Sequence, residues 1–78
     1  MTRVRYFAAA EEAAGREEET RTEATIGALR AALASEYPGL RAILPKCSLL
    51  VGGLRADSDD LALDADTVVD VLPPFAGG

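Results

Sequence analysis

The sequence contains no histidine and no tryptophan, and its only cysteine is Cys47. Without histidine the commonest general base is missing, together with His-assisted nucleophiles and the zinc sites that combine Cys with His. A single thiol closes no internal disulfide, so cysteine usage gives no sign of an oxidising compartment. Cys47 opens the apolar run Cys47-Ser48-Leu49-Leu50-Val51, with Lys46 as its only nearby cation. That setting suits a buried, inert thiol rather than a reactive thiolate. Long apolar runs are lacking as well. No window reaches the ~18–20 residues of a membrane span, and the N-terminus lacks the apolar core of a signal peptide. Basic residues are in deficit, with 8 Lys and Arg against 13 Asp and Glu and a formal net charge of −5. Such a charge repels phosphate backbones and anionic membranes. The expectation is a cytoplasmic protein with no nucleic-acid and no membrane partner.

Size narrows the possibilities further. The 78 residues make a single domain, 1–78, with a tail over 73–78. A domain this small buries only about 60–65% of its unfolded surface. It has little room for the ~300 Å³ cleft that an enclosed active site needs. Function is therefore expected on the surface or at an end.

The chain reads from strand to strand around one main helix. Val4, Tyr6 and Phe7 with Arg3 and Arg5 interleaved make Thr2 to Ala8 a half-buried strand. Ala9 to Ala14 suits a helical turn that Gly15 ends. Arg16 to Glu23, almost wholly charged, fits an edge strand, where charge discourages pairing with other chains. Thr25 can cap a helix with Ile26, Leu29 and Leu33 on one face and Tyr37 extending the stripe, and Pro38-Gly39 stops it. Leu40, Ile43 and Leu44 are expected to fold back over that helix in a short irregular segment. Leu49-Leu50-Val51 reads as a buried strand, Gly52-Gly53 as a tight hairpin turn and Leu54 to Ala56 as the short returning strand. Asp57-Ser58-Asp59-Asp60 lacks the glycine and distal Glu of a calcium loop and reads as a side-chain-stabilised turn. Thr67 to Leu72 forms a last strand that Pro73-Pro74 terminates. One helix crossing a mixed sheet of about five strands is an α+β arrangement of the β-grasp type, with the first and last strands adjacent in the middle.

The acidic runs Glu17-Glu18-Glu19 and Asp57 to Asp60 read as solvated surface, with steering toward basic partners as the second reading.

What remains is the tail, Pro73-Pro74-Phe75-Ala76-Gly77-Gly78. Glycine averages about 7% of residues, so a glycine pair at a given place arises by chance in roughly 0.5% of chains. With no catalytic inventory elsewhere, the α-carboxylate of Gly78 is the expected reactive group. Glycines at 77 and 78 remove bulk and open backbone angles for threading a narrow passage, and Pro73-Pro74 stiffen the root. Four residues beyond Pro74 reach at most ~13–14 Å, so a partner must come close. Phe75, and secondarily Phe7, are candidate apolar anchors for it.

The chain resembles the small, sulfur-carrying subunit of molybdopterin synthase, of a ubiquitin-like family. The resemblance runs through Val4-Arg5-Tyr6-Phe7-Ala8, the acidic stretch to Gly15, Thr25-Ile26 with Leu29 and Leu33, Tyr37-Pro38-Gly39-Leu40, Asp66-Thr67-Val68 and the tail. Glu11-Glu12, Gly52 and Ala65-Asp66 depart from its usual Arg-Glu, Asn and Gly-Asp. The resemblance implies that a ubiquitin-activating-like adenylyltransferase uses ATP to adenylate Gly78 and that a sulfur donor enzyme converts it to a thiocarboxylate. It further implies that the tail, Pro74, Phe75, Ala76 and Gly77 included, threads into the molybdopterin synthase large subunit to deliver sulfur to a pterin precursor. No cofactor is expected to reside on the carrier. Carriers for thiamine thiazole or cysteine synthesis share the terminal chemistry, a ubiquitin-like modifier would instead form isopeptide bonds through Gly78, and an interaction module with an inert tail is a further alternative.

Overall fold

The computed structural model describes residues 1–56 and 58–74. Strand β1, Thr2–Tyr6, alternates as the sequence demands, with Thr2, Val4 and Tyr6 buried and Arg3 and Arg5 exposed. Helix α1, Ala9–Ala14, ends at Gly15, whose φ of 75° is the left-handed cap that glycine adopts without a Cβ penalty. The charged segment becomes β2, Glu18–Arg21, antiparallel to β1 at one edge. Helix α2, Ile26–Glu36, starts where the Thr25 Oγ1 accepts a hydrogen bond from the Ala28 N–H at 3.2 Å, and it buries Ile26, Leu29 and Leu33. Then come β3, Ser48–Val51, β4, Leu54–Arg55, and β5, Val68–Leu72.

The five strands lie in the order β2-β1-β5-β3-β4, with β1 and β5 parallel at the centre and the other neighbours antiparallel. The helices cover one face. Val4, Leu49, Val69 and Val71 from the sheet meet Ile26, Leu29, Leu33, Leu40 and Leu44 in one core. At about 0.8 kcal/mol per buried CH₂, this contact between layers is the main favourable contribution to folding.

Two expectations are corrected. The stretch holding Leu40, Ile43 and Leu44 is not irregular: helix α3, Pro38–Ile43, runs into a 3-10 turn at Leu44–Lys46. Pro38 ends α2 and, at N1, begins the next helix, because its fixed φ and missing N–H suit a first turn; Tyr37, extended at φ −124° and ψ 93°, makes the corner. Within Leu49-Leu50-Val51 only Leu49 is fully buried, and Leu50 and Val51 are half-buried. With helices on one face only, alternation turns Leu50 to the open face, while Val51, on the helix side, packs against the core partly buried.

The β3–β4 hairpin turns on Gly52 and Gly53, with φ of 58° and 86°, the paired positive dihedrals of a type I′ turn. Nothing lies within 4 Å of a Cβ built at Gly53, so Gly53→Ala acts through the backbone alone. We expect it to lower stability by about 1–2 kcal/mol, seen as a lower urea midpoint at unchanged slope.

Candidate functional site

The tail leaves from the centre of the sheet, behind β5. Pro73 is buried and Pro74, the last described residue, is exposed. Neither proline has a backbone N–H to extend the ladder, and the chain must leave the sheet here. Of the expected site residues, Phe75, Ala76, Gly77 and Gly78 lie outside the described residues.

Phe7 is placed at this same end of the sheet. Because β1 and β5 are parallel, their C-terminal ends coincide, and the Phe7 N–H donates to the Val71 carbonyl at 3.2 Å. Its side chain is 38% exposed, enough to meet a partner. The Arg5 guanidinium lies 5.6 Å from the ring centroid and is itself fixed by two hydrogen bonds to Asp70, Nε to Oδ1 at 2.6 Å and Nη2 to Oδ2 at 3.0 Å. A ring held from one side loses less freedom when a second protein packs on the other.

Arg5, Asp70 and the neighbouring Leu72 and Leu50 belong to the sheet face that carries no helix. Alternation puts Val69, Val71 and Leu49 on the helix side and leaves Val68, Asp70, Leu72, Ser48 and Leu50 on the open side. The result is a half-buried apolar strip with one internally paired Arg–Asp, beginning beside the tail's root. The sequence reading named Phe7 and missed the rest of this strip. Its signal was present in the period-two pattern, but only the β1–β5 and β3–β5 registers bring the three strands' open-face residues together.

A polar cluster secures the opposite edge of β1. Glu17 and Glu18 are exposed, as expected of solvated charge, but Glu19 points to the helix side. Its Oε2 accepts from the Tyr6 hydroxyl at 2.5 Å and the Tyr37 hydroxyl at 2.7 Å, and its Oε1 from Arg21 Nη1 at 3.2 Å. Arg21 donates two further bonds to Glu23 and two to Glu36, between 2.6 and 2.9 Å. Burial by itself would raise the Glu19 pKa, yet the hydrogen bonds from Tyr6, Tyr37 and Arg21 outweigh it and hold the carboxyl below its usual range. Burial and the Glu19 charge push the Tyr6 hydroxyl far up, so it stays a donor. The solvated reading therefore holds for Glu17 and Glu18 and fails for Glu19. In the second acidic run, Asp57 lies outside the described residues; the Asp60 N–H donates to the Ser58 Oγ at 3.1 Å, the expected side-chain-stabilised turn.

Cys47 is half-buried, and burial raises its thiol pKa, which keeps the protonated, poorly nucleophilic form. Among the described residues no helix is long and apolar enough to cross a membrane.

A mixed sheet gripping one main helix, with the chain leaving its central strand, defines a β-grasp domain of the ubiquitin-like class. Solved structures agree. The small archaeal modifier protein 1 of Methanosarcina acetivorans is 21% identical at a TM-score of 0.86, with 99% of this chain and 95% of that chain covered. The Haloferax volcanii HVO 2177 protein is 31% identical at 0.80, over 99% of this chain and 85% of that chain. A chain of the protein–protein complex of subunit 1 and 2 of molybdopterin-converting factor from Helicobacter pylori 26695 is 27% identical at 0.76, over 99% and 97%. No curated protein matches the sequence. The model of the ThiS family matches residues 4–78, and the chain belongs to that family. It is a ubiquitin-like sulfur carrier.

Proposed function

We propose that the chain is the small subunit of molybdopterin synthase and that the Gly78 carboxylate carries the sulfur. The observation that carries this reading is the position of the tail's root: Pro73 and Pro74 leave the central strand beside exposed, Arg5-backed Phe7, so a protein docked on the open sheet face receives the tail directly. The likeness to a chain of the two-subunit molybdopterin-converting factor complex supports the choice of pathway. The carboxylate is a poor electrophile. An activating partner supplies ATP, whose α-phosphorus the carboxylate oxygen attacks with loss of pyrophosphate; a sulfur donor then displaces AMP and leaves a thiocarboxylate. In the large subunit that sulfur attacks the pterin precursor, and hydrolysis restores the carboxylate. The carrier contributes a positioned, unhindered terminus and leaves the catalysis to its partners.

Intact-mass measurement after incubation with ATP, an activating enzyme and a sulfur source tests the carrier chemistry. One oxygen-for-sulfur exchange that disappears when Gly78 is deleted is expected; exchange without Gly78 overturns the reading. Binding decides the pathway, because association with a thiazole synthase in place of a molybdopterin synthase large subunit overturns the assignment. Covalent attachment to lysines of other proteins would make the chain a modifier.

Phe7→Ala separates docking from loading. Its ring lies outside the core, so the fold should persist while affinity for the large subunit falls roughly tenfold or more in calorimetric titration, the effect of truncating an aromatic anchor. Sulfur loading through a partner that contacts only the tail should be unchanged.

A further inference from the structure

The chain turns from β1 into α1 at Ala8, a residue type that the bend does not favour. Ala8 has φ 50° and ψ −122°, the dihedrals of the first central position of a type II′ turn, which glycine normally fills. The Ala10 N–H closes the turn by donating to the Phe7 carbonyl at 3.0 Å. Among the described residues Ala8 alone carries a side chain at positive φ, the other such positions being Gly15, Gly52 and Gly53. Its methyl is exposed, so it strains the backbone without adding to the core. For folding alone, glycine would serve this corner better.

Anchors on both sides hold the strain in place. Before the corner, the Tyr6 N–H donates to the Glu17 carbonyl at 2.8 Å and the Phe7 N–H to the Val71 carbonyl at 3.2 Å. After it, the Ala8 carbonyl accepts from the Glu12 N–H at 3.1 Å, and Ala10 and Ala14 seat α1 in the core. Tyr6 is buried on the helix side, so Phe7 alternates to the open side, and the chain must cross the end of the sheet before Ala10. The region open to a residue with a Cβ at positive φ is small. Forced there by its anchors, Ala8 has one narrow well, where glycine under the same anchors has a broad one. We propose that Ala8 is a positioning residue for docking: its Cβ confines the corner to one conformation and so holds the Phe7 ring beside the Arg5 guanidinium, in the direction from which the partner receives it. The proposal rests on the reading of Phe7 as the partner's anchor. Glycine at position 8 relieves the strain but leaves the ring more freedom, which binding must then remove.

Ala8→Gly tests this in the free chain and in the complex. In the free chain, NMR couplings across the Phe7 χ1 bond should report one rotamer for the wild type and an average of several for the variant, while the variant's urea midpoint rises. In calorimetric titration with the molybdopterin synthase large subunit, Ala8→Gly should bind roughly two- to fivefold more weakly, the range of the backbone freedom that a glycine adds. That loss should vanish in the Phe7→Ala background, because Ala8 acts through the ring. A loss that persists there marks a direct contact between the methyl and the partner, and overturns the proposal. A Phe7 rotamer unchanged by glycine overturns it too, as does undiminished affinity. A lowered urea midpoint overturns it by making the methyl a support of the fold. Absence of wild-type binding to the large subunit overturns the assigned partner alone, and the Phe7 couplings of the free chain then decide the role of Ala8 without any partner.

Discussion

Replacing Arg21 by methionine should lower the free energy of unfolding by about 2–3 kcal/mol, the largest effect we expect of any single change outside the core. The Arg21 side chain is only 10% exposed and is the shared donor to Glu19, Glu23 and Glu36. Without it Glu19, 11% exposed, keeps two tyrosine hydroxyls but loses its close counter-charge, leaving only the more distant Arg16. Removing one member of a buried ionic group typically costs 3–5 kcal/mol; the lower figure applies here because Glu36 faces solvent and relaxes into water. The pH profile distinguishes this cause from lost packing. Glu19, Glu23 and Glu36 all have folded-state pKa values lowered from 4.5, with the Arg21 hydrogen bond the foremost cause for the latter two. A carboxyl whose pKa falls on folding contributes stability above its unfolded value, and that contribution disappears as pH drops through the folded value. The wild-type chain should therefore lose stability steeply below about pH 4.5, and Arg21→Met should flatten that limb while lowering the neutral plateau. Urea titrations between pH 3 and 7 read both. Arg16→Met is the control, because Arg16 approaches Glu19 only at 3.9 Å and is half exposed; it should change stability by no more than a few tenths of a kcal/mol.

The same cluster marks the boundary between what local sequence specifies and what only the fold assembles. Thr25 as a cap, Gly15 as a left-handed stop and Gly52-Gly53 as a hairpin each act within a few residues, and each stands where its side chain, or lack of one, requires. The order of the strands was legible because a wholly charged segment has one tolerable place, an edge, and because one helix can cover only one face. Glu19 was misread because nothing in Glu17-Glu18-Glu19 separates its third member from the first two. Its donors come from β1 through Tyr6, from the corner after α2 through Tyr37 and from its own strand through Arg21. Pro38-Gly39 was read as a stop, although a proline that ends one helix is equally suited to begin another. Which continuation follows depends on whether Leu40 and Leu44 find a core to bury against.

The candidate site divides along the same line. Phe7 and the glycine tail stand out as residue types, but the open-face strip of Leu50, Asp70 and Leu72 exists only through the registers of three strands. Arg5 is the clearest case. In sequence it is one of two arginines on a strand's polar side; in the fold it spans β1 and β5 and backs the Phe7 ring.

Gly77→Val should slow sulfur loading by roughly a hundredfold while leaving the thermal unfolding midpoint unchanged. Among the described residues the buried apolar core already runs from Val4 to Val71. The penalty arises in the partner's site, where the terminus must thread a passage and present its carboxylate to ATP. Valine adds two branch carbons where glycine has none, excludes the positive-φ half of backbone space and restricts χ1. Misplacement of a reacting group by about 1 Å is enough to cost a hundredfold in rate. Gly77→Ala, with one methyl and the same loss of positive φ, should lie between, so the ratio of the two variants' rates measures how much of the effect is bulk and how much is backbone. Single-turnover loading followed by intact mass provides both. If the valine variant loads at the wild-type rate, the passage is wide at this position, and specificity for the carrier must come from the sheet face and not from the glycines.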